Sequence, residues 1–131
     1  MGEDAVRLLV VDDDRGMVET LRDILGASGY EVDVALSGEK ALELVRRRAP
    51  DGILMDIRMP GFNGVEALRK LKRLAPDSFV ILMTAYAASR LVEEARAEGA
   101  VEVLAKPLDL ARTLSLIQEA AARHGLPPPG G

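Results

Sequence analysis

Short apolar runs alternate with longer amphipathic stretches along this chain, and the alternation occurs five times. The first run, residues 8–11, is apolar throughout, as expected for an interior strand covered on both faces. The stretch that follows repeats apolar residues at helical spacing over residues 17–25. Residues 30–35 instead alternate polar and apolar positions, which is typical of a half-exposed strand at a sheet edge. Five such strand and helix units predict an α/β fold with a parallel sheet.

The remaining strands are predicted at residues 53–55, 79–83 and 101–104, each followed by a helix. Gly29 is predicted to end the first helix and Ser37 to cap the second. The segment from Met59 to Gly64 is rich in turn formers and is predicted to be a loop. We expect one domain over residues 1–125, with the Pro- and Gly-rich residues 126–131 forming a tail or the start of a linker.

Composition narrows the chemistry. The chain has 131 residues, of which 48% are hydrophobic and 29% charged, enough for one self-sufficient core. It has no cysteine and a single histidine, His124, so any metal must be held by oxygen. A net charge of −4 offers no general attraction to nucleic acid. No apolar run approaches the roughly 18 residues of a membrane span and no signal-peptide layout is present, so we expect a soluble, cytoplasmic protein.

Polar residues follow or end four of the predicted strands: Asp12 and Asp13, Asp56, Thr84, and Lys106. Ligands of an open parallel sheet bind beyond the carboxyl ends of its strands, so these side chains are expected to meet. Two negative charges about 4 Å apart repel by roughly 4 kcal/mol at an effective dielectric constant of about 20. The three carboxylates therefore predict a bound cation, and hard oxygen ligands suit Mg²⁺, with Mn²⁺ as a reasonable substitute.

These groups suit phosphoryl transfer. Asp56 is the candidate nucleophile, and the metal would screen its repulsion from the incoming phosphoryl group. The Lys106 ammonium is expected to balance the phosphoryl oxygens, and the Thr84 hydroxyl to donate one hydrogen bond to them. The product would be an aspartyl phosphate. Asp14, taken alone, is interpreted as a solvated surface acid.

Four motifs now carry a resemblance to a known family. Val-Val-Asp-Asp-Asp at residues 10–14, Met-Asp-Ile-Arg-Met-Pro-Gly at 55–61, Met-Thr-Ala at 83–85 and Ala-Lys-Pro at 105–107 resemble the motif set of two-component response regulator receiver domains, the CheY-like superfamily. The resemblance covers roughly residues 6–123. It implies a flavodoxin-like (βα)5 three-layer sandwich, doubly wound, with its five parallel strands in the order 2-1-3-4-5.

The resemblance also implies residue roles. Asp56 would be the phosphoacceptor and a metal ligand, and Asp13 a direct Mg²⁺ ligand. Asp12 would help to hold the metal, partly through water, and the backbone carbonyl of Arg58 would complete the protein ligands. Thr84 would report the phosphoryl group to the surface around the fourth helix and fifth strand.

As a member of this family, the chain would be a signalling switch that catalyses its own phosphorylation and slow dephosphorylation, and not an enzyme acting on a separate substrate. A histidine kinase or phosphotransfer protein would supply the phosphoryl group, and a downstream protein or fused output domain would respond. We expect a monomer or a weak, phosphorylation-dependent homodimer. Val103 stands where the family often has Tyr or Phe, so a ring-flip readout is not expected. Arg58 and Tyr86 are hypothesised to shield the phosphoryl group from water.

Two alternatives remain open. Asp12 and Asp14 imitate the spacing of haloacid-dehalogenase-type phosphohydrolases, which form an aspartyl phosphate and turn it over, but the chain leaves little room for their cap domain. A receiver-like interaction module that works without phosphorylation is the third class. An enzyme would release phosphate catalytically, whereas a switch would accumulate one modification per chain.

Overall fold

The computed structural model describes residues 5–59, 62–85 and 89–128, without the side chain of Phe62. Within these residues, strands and helices alternate along the chain as the pattern predicts. The elements are β1 Arg7–Val11, α1 Arg15–Ala27, β2 Glu31–Ala35, α2 Gly38–Arg47, β3 Gly52–Met55, β4 Arg58–Met59, β5 Phe62–Asn63, α3 Gly64–Leu74, β6 Phe79–Thr84, α4 Arg90–Ala97, β7 Glu102–Ala105 and α5 Leu110–Arg123.

The main sheet has five parallel strands in the order β2-β1-β3-β6-β7. Counted among these five strands alone, this is the order 2-1-3-4-5 expected from the sequence. The labels differ because β4 and β5 form a separate pair. β2 lies at the edge of the sheet, and its side chains at Glu31 and Asp33 are exposed, as its alternating pattern predicts.

The prediction of a plain loop from Met59 to Gly64 is wrong in part. Arg58 pairs with Asn63 and Met59 with Phe62 in a two-stranded antiparallel ribbon, and α3 begins at Gly64. Strands of two residues are too short to carry a periodic pattern, so turn-forming residues were the only local signal. Residues 60–61 of the predicted loop lie outside the described residues.

The sheet separates two hydrophobic cores. Along β1, Leu9 and Val11 belong to one core, with side chains from α2, α3 and α4, while Leu8 and Val10 belong to the other, with α1 and α5. This division follows from the alternation of side chains along a strand. It produces the three-layer sandwich predicted from the sequence.

Each helix begins at a side chain that accepts a hydrogen bond from a backbone N–H of the first turn. These caps are Asp14, Ser37, Asn63, Ser89 and Asp109 for α1 to α5 in turn. Such side chains satisfy backbone donors that the helix itself leaves unpaired. The predicted cap at Ser37 is confirmed. Gly29 follows α1 with a φ of 103°, which supports its predicted role in ending that helix.

Among the helices of residues 5–59, 62–85 and 89–128, none combines the length and the apolar character needed to cross a membrane.

Candidate functional site

The candidate site lies at the carboxyl ends of four neighbouring strands. Asp12 follows β1, Asp56 follows β3, Thr84 ends β6 and Lys106 follows β7. Their backbones extend the sheet's hydrogen bonding: Asp12 N donates to Ala35 O at 3.1 Å, Asp56 N to Val11 O at 3.0 Å and Lys106 N to Thr84 O at 2.9 Å. The sheet therefore fixes where each of these side chains starts.

Lys106 joins the two acids. Its Nζ donates to Asp12 Oδ2 and to Asp56 Oδ2, in both cases at 2.7 Å. Asp12 is fully buried, Asp56 is 6% exposed, and the Lys106 side chain is 22% exposed. Bonds of this length between ionised groups are stronger than neutral hydrogen bonds. The ammonium thus offsets one of the two negative charges of a carboxylate pair held away from bulk water.

The second oxygen of each acid is held by the backbone. Asp12 Oδ1 accepts from the N–H of Asp14 at 3.0 Å, and Asp56 Oδ1 accepts from the N–H of Arg58 at 2.8 Å. Both are Asx-turns, in which a carboxylate bonds to the backbone two residues on. The two acids therefore share one pattern, with Oδ1 on a backbone amide and Oδ2 on the lysine.

Opposing influences act on the pKa of Lys106. Burial is the largest and would lower it, because the ammonium loses water. The hydrogen bonds and charges of Asp12 and Asp56 together outweigh burial and raise the pKa of Lys106 above its ordinary value of 10.5. Lys106 therefore carries its charge firmly at neutral pH.

The other predicted site residues are placed differently. Thr84 is fully buried at the end of β6, whereas Asp13 is exposed. Instead of three crowded carboxylates, the site has two that share an ammonium, with the third acid facing solvent. Lys106 supplies one positive charge to this pair of carboxylates, and one negative charge is left for a further cation.

The oxygen atoms of this site suit one particular mode of metal binding. In the part of the chain that the structure describes, no group of three or more His, Cys, Asp or Glu residues is arranged to hold one. Mg²⁺, however, is usually held by one or two carboxylates together with waters and phosphate oxygens. Each carboxylate offers about four lone-pair positions, more than the two bonds described above use. The all-oxygen pair Asp12 and Asp56 fits that mode of binding.

Sequence reasoning missed one residue at this edge. Asp14 is exposed, as expected of a solvated acid, but its side chain also caps α1 and its N–H donates to Asp12 Oδ1. The signal was present, because an Asp directly before a helical pattern is a common cap. His124 is exposed as predicted, although its ring centroid lies 5.5 Å from that of Phe79. Tyr86 lies outside the described residues.

The chain matches one family model and several known proteins. A family model described as the response regulator receiver domain matches residues 8–118. A response regulator receiver protein of Anaeromyxobacter sp. (strain Fw109-5) is 42% identical, with 84% of this chain and 46% of the relative covered. Sporulation initiation phosphotransferase F of Bacillus subtilis is 35% identical over 79% of this chain and 84% of the relative.

The transcriptional regulatory protein ZraR of Escherichia coli O157:H7 is 39% identical over 93% of this chain, but only 28% of the relative is covered. The chain thus spans less than half the length of several curated relatives that it matches.

Solved structures of response regulators resemble this chain as well. A CheY-like receiver domain from Methanospirillum hungatei superimposes with a TM-score of 0.89 at 29% identity, covering 92% of this chain and 97% of that one. A response regulator of Burkholderia pseudomallei was solved with a phosphorylated aspartic acid, a calcium ion and citrate. It superimposes with a TM-score of 0.81 at 29% identity, covering 90% of this chain and 69% of that one. The beryllofluoride-activated NtrC4 receiver domain dimer superimposes with a TM-score of 0.83 at 32% identity, covering 90% of this chain and 98% of that one.

Proposed function

Because the chain belongs to the family of response regulator receiver domains of two-component systems, we propose that it is a signalling switch phosphorylated on Asp56. The observation that carries this proposal is the position of Asp56, which shares Lys106 with Asp12 at the carboxyl edge of the sheet. A structurally similar response regulator carries a phosphorylated aspartic acid, which supports the same chemistry here.

In the proposed step, a carboxylate oxygen of Asp56 attacks the phosphorus atom of the donor. The bond from phosphorus to the donor's leaving atom breaks, its electron pair departs with the donor, and an acyl phosphate forms on Asp56. Lys106, now on Asp56 Oδ2, would move to the new phosphoryl oxygens while keeping its bond to Asp12. Positive charge already placed where negative charge develops needs little reorganisation.

Asp12, Asp13, Asp56 and the backbone carbonyl of Arg58 would hold Mg²⁺, with Mn²⁺ as a substitute. When bound, the ion neutralises negative charge on the carboxylates and on the phosphoryl oxygens. Thr84 would donate its hydroxyl to one phosphoryl oxygen and report the modification to the surface around α4 and β7. A calcium ion in a similar response regulator supports a divalent cation at such a site.

The proposed donor is a histidine kinase or a phosphotransfer protein. An apolar groove opens beside the site, between α1 and the segment after β7, and its lining includes Met17, Leu21, Leu108 and Lys106. This groove would offer a partner a surface next to Lys106, which donates a hydrogen bond to Asp56. Autophosphorylation with Mg²⁺ and slow dephosphorylation would be the only catalysis by the chain itself.

The proposed output is a downstream protein or a fused domain, in keeping with the short share of several relatives that the chain spans. Residues 126–131 would be a tail or the start of a linker. Leu126 still packs against the core, and its N–H donates to Ala121 O at 2.9 Å. We place the protein in the cytoplasm, without direct contact to nucleic acid or membrane, as a monomer or a weak, phosphorylation-dependent homodimer. The NtrC4 receiver dimer supports this last point.

The test is intact-protein mass spectrometry after incubation with acetyl phosphate and Mg²⁺. We expect one added phosphoryl group on the wild type, and none on Asp56→Asn or after chelation of the metal. Asp77→Asn, which alters an exposed acid, serves as the matched control and should be modified like the wild type. No adduct on a folded wild type would contradict the proposal. Steady phosphate release without an adduct would indicate a phosphohydrolase.

A further inference from the structure

We propose that Asp14 is a positioning residue for the Asp12 carboxylate. By capping α1, Asp14 fixes its own backbone N–H, and that N–H holds Asp12 Oδ1. The inference rests on the proposed function, because Asp12 matters there as a holder of the divalent cation. Asp14 would touch neither the cation nor the phosphoryl group and would act through Asp12.

Asp14 is held at three points. Its side-chain Oδ1 accepts from Met17 N at 3.1 Å, and its carbonyl oxygen accepts from Val18 N at 3.1 Å. Its own N–H donates to Asp12 Oδ1 at 3.0 Å. Two of these bonds enter the first turn of α1 and the third enters the site. Residue 14 therefore connects the start of a helix to the buried acid.

The other acid of the site is arranged in a similar way, but over two residues. Arg58, whose N–H holds Asp56 Oδ1, pairs in the β4–β5 ribbon with Asn63, and Asn63 caps α3. In both cases the amide that donates to the carboxylate is connected to the residue that caps a helix. At Asp14 the cap and the amide belong to the same residue, so one substitution can separate them.

The orientation of Asp12 depends on this amide. The terminal torsion of an aspartate is broad and roughly two-fold, so the carboxylate has no strong internal preference. Lys106 fixes Oδ2 alone, and its ammonium can reach several positions because its stem is flexible. Without the amide, the Asp12 carboxylate could rotate about its bond to Cβ and present a different edge to a cation.

Three variants separate positioning from stability and from charge. Asp14→Ala removes the cap and keeps the N–H. Asp14→Asn keeps an equally good cap but removes the negative charge. Ser37→Ala removes the cap of α2, which lies on the opposite face of the sheet from α1, and serves as the matched control.

Three measurements are made on each protein: the urea midpoint of unfolding, the Mg²⁺ dissociation constant by calorimetry with Mg²⁺ alone, and hydrogen exchange at the backbone amide of position 14. We expect Asp14→Ala and Ser37→Ala to lower the urea midpoint alike. Asp14→Ala alone should weaken Mg²⁺ binding, by roughly tenfold, the lower end of the loss seen when groups behind a metal ligand are removed. It should also speed exchange at position 14. For Asp14→Asn, the Mg²⁺ dissociation constant and the exchange rate at position 14 should both be close to those of the wild type.

Two results with the variants would overturn the positioning role. If Asp14→Ala lowers the urea midpoint but binds Mg²⁺ like the wild type, the residue is a structural cap only. If Asp14→Asn weakens binding as much as Asp14→Ala, charge and not geometry is responsible. Failure of the proposed function looks different: the wild type itself would then bind no Mg²⁺ and accept no phosphoryl group, which would also overturn the role of Asp14.

Discussion

Lys106 is the residue on which the electrostatics of the site depend. Its ammonium lies 2.7 Å from one oxygen of each of two acids that are almost wholly buried. Two ionised carboxylates are costly to remove from water unless they are paired and hydrogen-bonded. Here each carboxylate accepts one hydrogen bond from a backbone N–H and one from Lys106, so a single lysine is the charged partner of both buried acids.

Replacing Lys106 by Met should therefore destabilise the fold while keeping the length of the side chain. We expect the free energy of unfolding at neutral pH to fall by about 2 kcal/mol, less than for a fully buried pair because the lysine is partly exposed. Lys40→Met is the control, since Lys40 makes an exposed pair with Glu43 at 3.7 Å, and a change below about 0.5 kcal/mol is expected there. Urea denaturation measures both. Equal losses in the two variants would contradict the bridging role.

Tyr30 gives a prediction of the opposite sign. The residue is 4% exposed, and among the described residues its hydroxyl has no hydrogen-bond partner. Because an unsatisfied buried hydroxyl is costly, Tyr30→Phe should leave stability unchanged or raise it by up to about 1 kcal/mol. Thr113→Val is the control, since the buried Thr113 hydroxyl donates to Asp109 O at 2.8 Å. That variant should lose about 1 kcal/mol in the same denaturation assay.

Some properties of single residues could be predicted from the sequence, and others could not. The prediction that Asp12, Asp56 and Lys106 meet rests on the rule that residues at the ends of parallel strands share one edge, and the hydrogen bonds of Lys106 agree with it. For Asp13 and Thr84 a shared site stays a prediction. Sequence reasoning did not identify Lys106 as the partner of both acids, because the bridge depends on side-chain reach across the sheet. Nor could it show that the Tyr30 hydroxyl is buried, since that depends on the packing of α1 and β2 against the core.

At the scale of elements, the start of α3 and the strand end at Asp56 are packed against each other. A Cβ atom added at Gly64 would overlap the backbone of Ile57, the residue directly after Asp56. Gly64 therefore allows the first turn of α3 to approach the segment that carries the candidate phosphoacceptor and the Arg58 amide. Glycine is needed here because a larger side chain would clash with the Ile57 backbone, which cannot move without displacing the site.

Gly64→Ala should lower the free energy of unfolding by roughly 1–3 kcal/mol, as overpacking does. It should also slow the proposed phosphorylation of Asp56. Gly26→Ala is the control, because Gly26 lies within α1 and no atom of the other described residues outside that helix lies within 4 Å of an added Cβ. That variant should gain up to about 1 kcal/mol from better helix propensity. Similar effects of the two substitutions on stability and on phosphorylation would rule out the close approach as the cause.

Elements with a long pattern were predictable, and short ones were not. The helices have apolar stripes over two or more turns, so their existence and their buried faces followed from spacing alone. The β4–β5 ribbon has two residues in each strand and pairs Arg58 with Asn63. Asn63 caps α3, which is a local signal, but nothing in the local sequence indicates that its backbone pairs with Arg58.

For the whole molecule, the order β2-β1-β3-β6-β7 is what turns scattered residues into a site. β1 and β3 are neighbours in the sheet, so the residues after them, Asp12 and Asp56, lie side by side although 44 positions separate them. β7 lies two strands from β3, and the length of a lysine side chain covers that gap. Charge on Lys106 is therefore coupled to the stability of the complete fold.

That coupling predicts how stability depends on alkaline pH. The pKa of Tyr30 is raised above 10.0 by burial, and the pKa of Lys106 is raised above 10.5 because the bonds and charges of its two acids outweigh its burial. Both groups hold their protons more firmly in the folded chain than in the unfolded chain. Their contribution is therefore fully present below the unfolded values and is lost as pH rises through the folded ones.

We expect the free energy of unfolding to fall between about pH 9 and about pH 12, a range that spans the ordinary values of both groups. Urea denaturation across that range measures the slope. Tyr30→Phe and Lys106→Met should each make the decline shallower, since each variant lacks one of the groups whose proton the folded state retains. A slope unchanged in both variants would show that the loss comes from the net negative charge of the chain and not from these two residues.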